Sequence, residues 1–452
     1  MPRLTPHWRY ALSILMPFWL SACATYQAAP LPQAPDLASA PHDAQGLTLH
    51  TLSLAQTARI AVRDNPDLRA ARRKVGISAA QLYDARLIPD PQLGYALDHP
   101  TSKGPGLVNA YNVGLSEDIR WLLTRGSHVD AARAARTRQR LEVAWQAWQV
   151  SQQAQSLYIR LWSLNRQAHL LEQQQHLYAR RQQAATRALQ AGNITLDTLS
   201  ADLVTLTDTE SQLARTRRQL TRVRMQLNAL LGLQPAADWQ IKTPQPPQPP
   251  SEMAVRQALA RLPDTRPDLL ALQAGYKSAD ARYRAAVLGQ FPSLNIGVTR
   301  ASDTSGVLTT GLGITLNLPI FNGNRGQVAV TRATRDQLRG AYQARLDHAY
   351  SQVRMLLARL QDIEATRRRL ETRLPELRRV ADRAARAFAS GNLGGASYIA
   401  VQSSYLAHER EAIGLDQSLM EGAVALHTLL GYIPAGAPAV ASTSSAPKGE
   451  HP

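Results

Sequence analysis

Hydrophobic and polar positions alternate along this chain with two different periods. In four short stretches the period is two. Leu93, Tyr95 and Leu97 alternate with small or polar neighbours, and so do Tyr111, Val113 and Leu115. Leu294, Ile296 and Val298 repeat the pattern, followed by Leu312, Ile314, Leu316 and Leu318. Alternation of this kind predicts strands at about 91–99, 109–118, 292–300 and 307–318, each with one apolar face. Elsewhere the period is that of a helix. No glycine or proline interrupts the residues between Gly126 and Gly192, or those between Gly192 and Gly232. Leu206, Leu213, Leu220 and Leu227 recur every seven residues, with Val223 and Leu230 between them. Leu157, Leu161, Leu164, Ala168 and Leu171 alternate spacings of four and three. These are coiled-coil seams, and they predict a long helical hairpin over about 126–232. A second follows from about 326, with a kink expected at Pro375.

The two halves are copies. "NPDLRAARRKV" from Asn65 aligns with "RPDLLALQAGY" from Arg266, and Pro91 with Pro292. Gly192-Asn193 aligns with Gly391-Asn392, and Leu230-Leu231-Gly232 with Leu429-Leu430-Gly431. The offset is 201 for the earlier landmarks and 199 for the later ones. The unit is far longer than a solenoid repeat of about 20–50 residues, so the chain reads as a duplicated half-molecule. Repeats at 47–234 and 251–433 are joined by the proline-rich 235–250, expected to be extended. The Ala-, Pro- and Ser-rich flanks at 24–46 and 434–452 are expected to lack fixed structure. Gly192-Asn193 and Gly391-Asn392 are the residue types that reverse a chain, so they mark the hairpin tips.

Charge and the N-terminus narrow the function. The formal net charge is +17, but the arginines are spread along helical segments rather than clustered as in a nucleic-acid site. Residues 1–22 carry Arg3 and Arg9, then a short apolar run, then small residues, the pattern of a secretory signal. The sole cysteine, Cys23, ends the tetrad Leu20-Ser21-Ala22-Cys23, which resembles the lipobox of bacterial lipoproteins. That resemblance implies cleavage before Cys23, acylation of the cysteine (palmitate among the acyl groups) and a lipid-anchored linker at 23–46. Ala24 in the next position implies the outer membrane. No apolar stretch reaches the roughly 20 residues of a membrane helix. A spanning segment would have to be a closed β-barrel. Four strands cannot close one, because the smallest transmembrane barrels have about eight. A symmetric ring of chains would supply the rest.

With "DARLIPDPQLGY", "GQFPSLNIG" and "LNLPIFNGNRGQV" added to the duplication, the chain resembles the TolC-type outer-membrane efflux family over about 47–433. The resemblance implies a mainly α fold with a transmembrane β-barrel portion: a homotrimer, a 12-stranded barrel and a long helical tunnel in the periplasm. It implies a passive exit duct, without cofactor or catalysis, whose partners are a periplasmic adaptor and an inner-membrane pump. Family tips of the form Gly-x-x-Thr/Ser contact the adaptor. Gly192, Asn193, Ile194 and Thr195 match that form; Gly391, Asn392, Leu393 and Gly394 depart from it at the last position. An acidic residue beyond the tip glycine lines the closed end in many relatives. Ser397 and Ala400 hold those places in the second copy, and in the first Asp197 lies one residue closer, so Asp197 is expected to line the pore.

Other chemistry is sparse. There is no phosphate-binding glycine loop, no His-Glu-x-x-His and no Cys-x-x-Cys. His169 and His176 could share a helix face, and Glu117-Asp118 could pair as acid and base, but solvated surface and strand-end roles fit them better. The competing reading is a periplasmic adaptor lipoprotein with a helical hairpin. Two tandem hairpins and paired amphipathic strands argue against it. A nucleic-acid binder would require the export signal to be an accident.

Overall fold

The computed structural model describes residues 26–101, 104–246 and 248–433. Residues 1–37 form one unit and 38–452 another. Cys23, the signal segment and the tail at 434–452 lie outside the described residues. Within the first unit, residues 26–37 contain no helix or strand. The second unit contains six strands and eight helices among the described residues. They are β1 Thr51–Leu52, α1 Leu54–Asp64, α2 Pro66–Asp84, β2 Gln92–Asp98, β3 Ala110–Asp118, α3 Trp121–Gln190 and α4 Leu196–Leu230. The second half gives β4 Gln240–Ile241, α5 Glu252–Thr265, α6 Pro267–Leu288, β5 Ser293–Ser302, β6 Leu308–Asn317, α7 Arg325–Ala389 and α8 Gly395–Leu429.

Helix α3 runs 70 residues, about 105 Å at 1.5 Å per residue. It begins five residues before Gly126, because Trp121 Nε1 donates to Glu117 Oε1 at 3.0 Å and Asp118 Oδ1 accepts from Arg120 N at 2.9 Å. The Glu117-Asp118 pair thus ties a strand to a helix. Helix α7 continues through Pro375 without a break. Most of the predicted seam is buried: Leu161, Leu164, Ala168 and Leu171 on α3 pack with Leu213, Val223 and Leu227 on α4, while Leu157, Leu206, Leu220 and Leu230 are half-buried. All four hairpin helices end the same way, with a glycine of positive φ after the last turn. Gly192 has φ 72°, Gly232 69°, Gly391 76° and Gly431 81°. At Gly232 a Cβ would lie 2.7 Å from Asp64 O, so that position is closed by packing as well as by φ.

The helices lie side by side. Toward the tips, α3 and α8 are adjacent, with α4 outside α3 and α7 outside α8. Nearer the sheet, α3 and α6 are adjacent, with α2 outside α3 and α7 outside α6. The two copies therefore meet in the middle, and α2, α4 and α7 form the flanks.

The flank expected to lack fixed structure and the linker expected to be extended both make backbone contacts with the helical body. Ala38 N donates to Gly232 O at 3.0 Å and its carbonyl accepts from Gln234 N at 2.9 Å. Leu49 N donates to Pro41 O at 2.8 Å, and Arg63 donates to the carbonyls of Asp43 and His42. Pairing of Ala38 with the end of the first hairpin, together with Arg63, holds residues 38–46 of the flank that composition marked as lacking fixed structure. The linker is similarly held: β4 pairs in parallel with β1, and Tyr158 Oη bridges Leu52 O and Lys242 O, both at 2.7 Å. Burial of that hydroxyl pushes its pKa up to about 12. Trp239, 2% exposed, donates from Nε1 to Asn228 Oδ1 at 2.9 Å.

Candidate functional site

The four long strands form one antiparallel sheet in the order β2-β3-β5-β6. Strands from both copies alternate in direction, and β3 joins β5 across the duplication. Register decides the faces, because directly opposed residues project to the same side. One row is Leu93, Leu115, Val298 and Leu312; a neighbouring row ends in Ile296 and Ile314. The opposite face has rows Gly94-Gly114-Thr299-Gly311 and Gln92-Ser116-Gly297-Gly313. One face is thus apolar and the other small or polar, with no buried layer behind either. Leu93 is 74% exposed, Leu312 70% and Ile314 64%.

In the two rows of the apolar face nearest the strand-connecting loops lie Tyr95, Tyr111 and Arg300, beside Leu97 and Leu308; Glu117 lies toward the helix end, bonded to Trp121. Amphipathic rings and an arginine stem suit a boundary between apolar and aqueous phases. Ten-residue strands β5 and β6 are about 34 Å long at 3.4 Å per residue. Tilted by about 40°, they would cover about 26 Å, against an apolar band of about 25 Å in membrane barrels. The loop between β2 and β3 also absorbs the two-residue change in repeat offset, since Asp118 and Asn317 end their strands 199 apart.

At the far ends of the helices, the predicted tip residues form two turns of equal design. Asn193 N donates to Ala188 O and Asn392 N to Ala387 O, both at 2.8 Å. Each closes an exposed helix end on a left-handed glycine. Ile194 and Leu393 are half-buried, whereas Asn193 and Asn392 are exposed. The turns differ at their last position. Thr195 caps α4, its Oγ1 accepting from Thr198 N at 3.4 Å. Gly394 offers no side chain, and the second tip is instead held by Phe388 stacked on Tyr398, with centroids 4.7 Å apart and planes 4° from parallel. Asp197 stands exposed in the first turn of α4; Ser397 and Ala400 are also exposed.

One cluster escaped sequence reasoning. Arg266, 1% exposed, donates from Nε and Nη2 to the two oxygens of Asp268 at 3.0 and 2.7 Å. Arg345 Nε adds a bond to the same carboxylate at 2.6 Å, and both guanidiniums lie over Trp145, at 5.0 and 5.7 Å. Burial alone would raise the Asp268 pKa, but the two arginines outweigh it and hold the group below its ordinary value. The cluster lies where α3 of the first copy meets α6 and α7 of the second. Its counterpart is Asn65: Asn65 Nδ2 donates to Leu230 O, and Arg266 Nη1 to Leu429 O, the equivalent carbonyl. The "NPDL" and "RPDL" repeats were the available signal. His169 bonds Gln173 of its own helix, and His176 is exposed. Among the described residues, no three His, Cys, Asp or Glu side chains are placed to hold a metal. No described helix is long and apolar enough to cross a membrane.

Comparison with known proteins agrees with this architecture. The profile of the outer membrane efflux protein family matches residues 255–432, the second repeat. The fold is similar to that of CusC, at TM-score 0.69 and 18% identity, over 89% of this chain and 99% of that one. It is also similar to the Campylobacter jejuni CmeC outer membrane channel, at TM-score 0.70 and 14% identity, over 92% and 95% of the two chains. The outer membrane protein VceC of Vibrio cholerae matches at TM-score 0.68 and 16% identity, over 84% and 96%. No curated protein matches by sequence. The chain is thus a mainly helical protein that resembles the TolC-type outer-membrane efflux channels, in fold over most of its length and in sequence pattern over its second half.

Proposed function

We propose that this protein is the exit duct of a tripartite efflux system in the outer membrane. The observation that carries the reading is the four-stranded sheet, apolar on one face, small and polar on the other, with β2 and β6 unpaired at its edges. In this reading three copies pair β6 of one with β2 of the next, giving twelve strands of strictly alternating direction and a polar lumen. The flanks support the same ring. Exposed apolar side chains lie on α2 (Ile77), α4 (Leu203, Val204) and α7 (Val330, Met355), whereas α6 and α8, with neighbours on both sides, expose no large ones. The tunnel continues into the periplasm as twelve packed helices.

The tip residues Gly192–Thr195 and Gly391–Gly394 are the adaptor contact, and the adaptor links the duct to an inner-membrane pump. Asp197 lines the narrow end. Cys23 is the acyl anchor, worth about 0.8 kcal/mol per buried CH₂ but secondary to the barrel. The duct performs no chemistry; it conducts what the pump delivers. Purified outer membranes should contain a heat-stable trimer that conducts in planar bilayers. A water-soluble monomer without conductance would overturn the reading.

A further inference from the structure

The outward faces of α4 and α7 carry opposite charge near the tip. At 100° per residue, the side of α4 opposite its buried Thr209 and Leu213 presents Asp197, Val204 and Asp208. From Leu196 to Ala214 this helix has four acidic residues and no basic one. On α7 the side opposite buried Ala381 and Ala384 presents Arg379, Arg383 and Arg386. Glu376 and Asp382 are the acids on that stretch, so it remains basic. Asp197, Asp208, Arg379, Arg383 and Arg386 are all exposed. Among the described residues none of the five has an ion-pair partner, whereas Asp202, turned inward, is taken by Arg181 at 2.6 Å. Unsatisfied charges of opposite sign thus stand on the two open flanks of one helical layer.

We infer that α4 and α7 of adjacent copies form a charge-paired seam below the barrel. The occupant of each flank is a second copy of this chain, so the inference rests on the ring proposed above and adds the contact that sets its register. The heights agree. Counted from the helix ends at the tip, Asp197 lies two residues nearer the tip than Arg386, and Asp208 two residues farther from it than Arg379, each about 3 Å along the axis. Val204 lies between the two acids and supplies an apolar contact. The Asp197 charge at the narrow end is then shared with the neighbour's Arg386.

Cysteine pairs in the full chain, oxidised in outer membranes, test the geometry. Asp208→Cys with Arg379→Cys should give a covalent ladder reaching three chains. Asp208→Cys with Arg386→Cys, about 13 Å apart in height, should give none. Charge exchange tests the chemistry: Asp208→Arg should lower the temperature at which the trimer dissociates, and adding Arg379→Asp should restore it. A stable trimer without the first cross-link, or with both equally, overturns the seam and leaves the ring standing. Failure of the exchange to restore stability overturns the charge pairing. A parent chain that is monomeric in the membrane overturns the ring itself.

Discussion

Asp268 is a buried charge on which helices from both copies converge. Its two oxygens take three bonds from two arginines, at 8% exposure. Removing one partner of a buried ion pair leaves the other uncompensated, at a cost of about 3–5 kcal/mol. Asp268→Asn should therefore destabilise the full chain by that order, read as the unfolding midpoint by circular dichroism in detergent. The pH dependence follows from the lowered pKa. Its stabilisation is complete above the unfolded value of about 4 and is lost as pH falls through the lower folded value. Wild type should lose stability in that acid window and the variant should lose less. Parallel acid curves would show that the carboxylate is not the source.

In the proposed barrel each strand serves two surroundings, one per face. An arginine on the apolar face near mid-membrane costs about 2–4 kcal/mol in a membrane barrel. Leu312→Arg should deplete the protein from outer-membrane fractions. Asn112→Arg, on the opposite face beside Ala96 and Ala301, should still insert and should shift conductance toward anions. Equal insertion of both variants would contradict the assignment of the faces. Strand positions and hairpin tips were legible in the sequence because each depends on contacts within a few residues: period two, period seven, and a glycine free to take positive φ. The faces were legible too. Which strand neighbours which was not, because β3 and β5 pair across almost two hundred residues and pairing leaves no periodic trace. The short β1 and β4 were invisible for the same reason.

The whole molecule depends on how its two copies are joined. The proline-rich segment is anchored by Trp239, against Asn228 and beneath Arg224, whose guanidinium lies 5.6 Å from the ring. Truncating a buried tryptophan costs about 3–5 kcal/mol. Trp239→Ala should free the linker, and limited proteolysis should then cut within 243–250 while the two halves stay protected. Resistance equal to wild type would mean that β1–β4 pairing and Tyr158 suffice. By itself the sequence determined the duplication, the two hairpins, their turning points and an amphipathic set of strands, all encoded at short range. Tertiary structure alone decided that both copies share one sheet, that Arg266 and Asp268 are buried beside Trp145, and which helices are left as flanks. Those outcomes depend on desolvation and on partners distant in the chain, which no local pattern records.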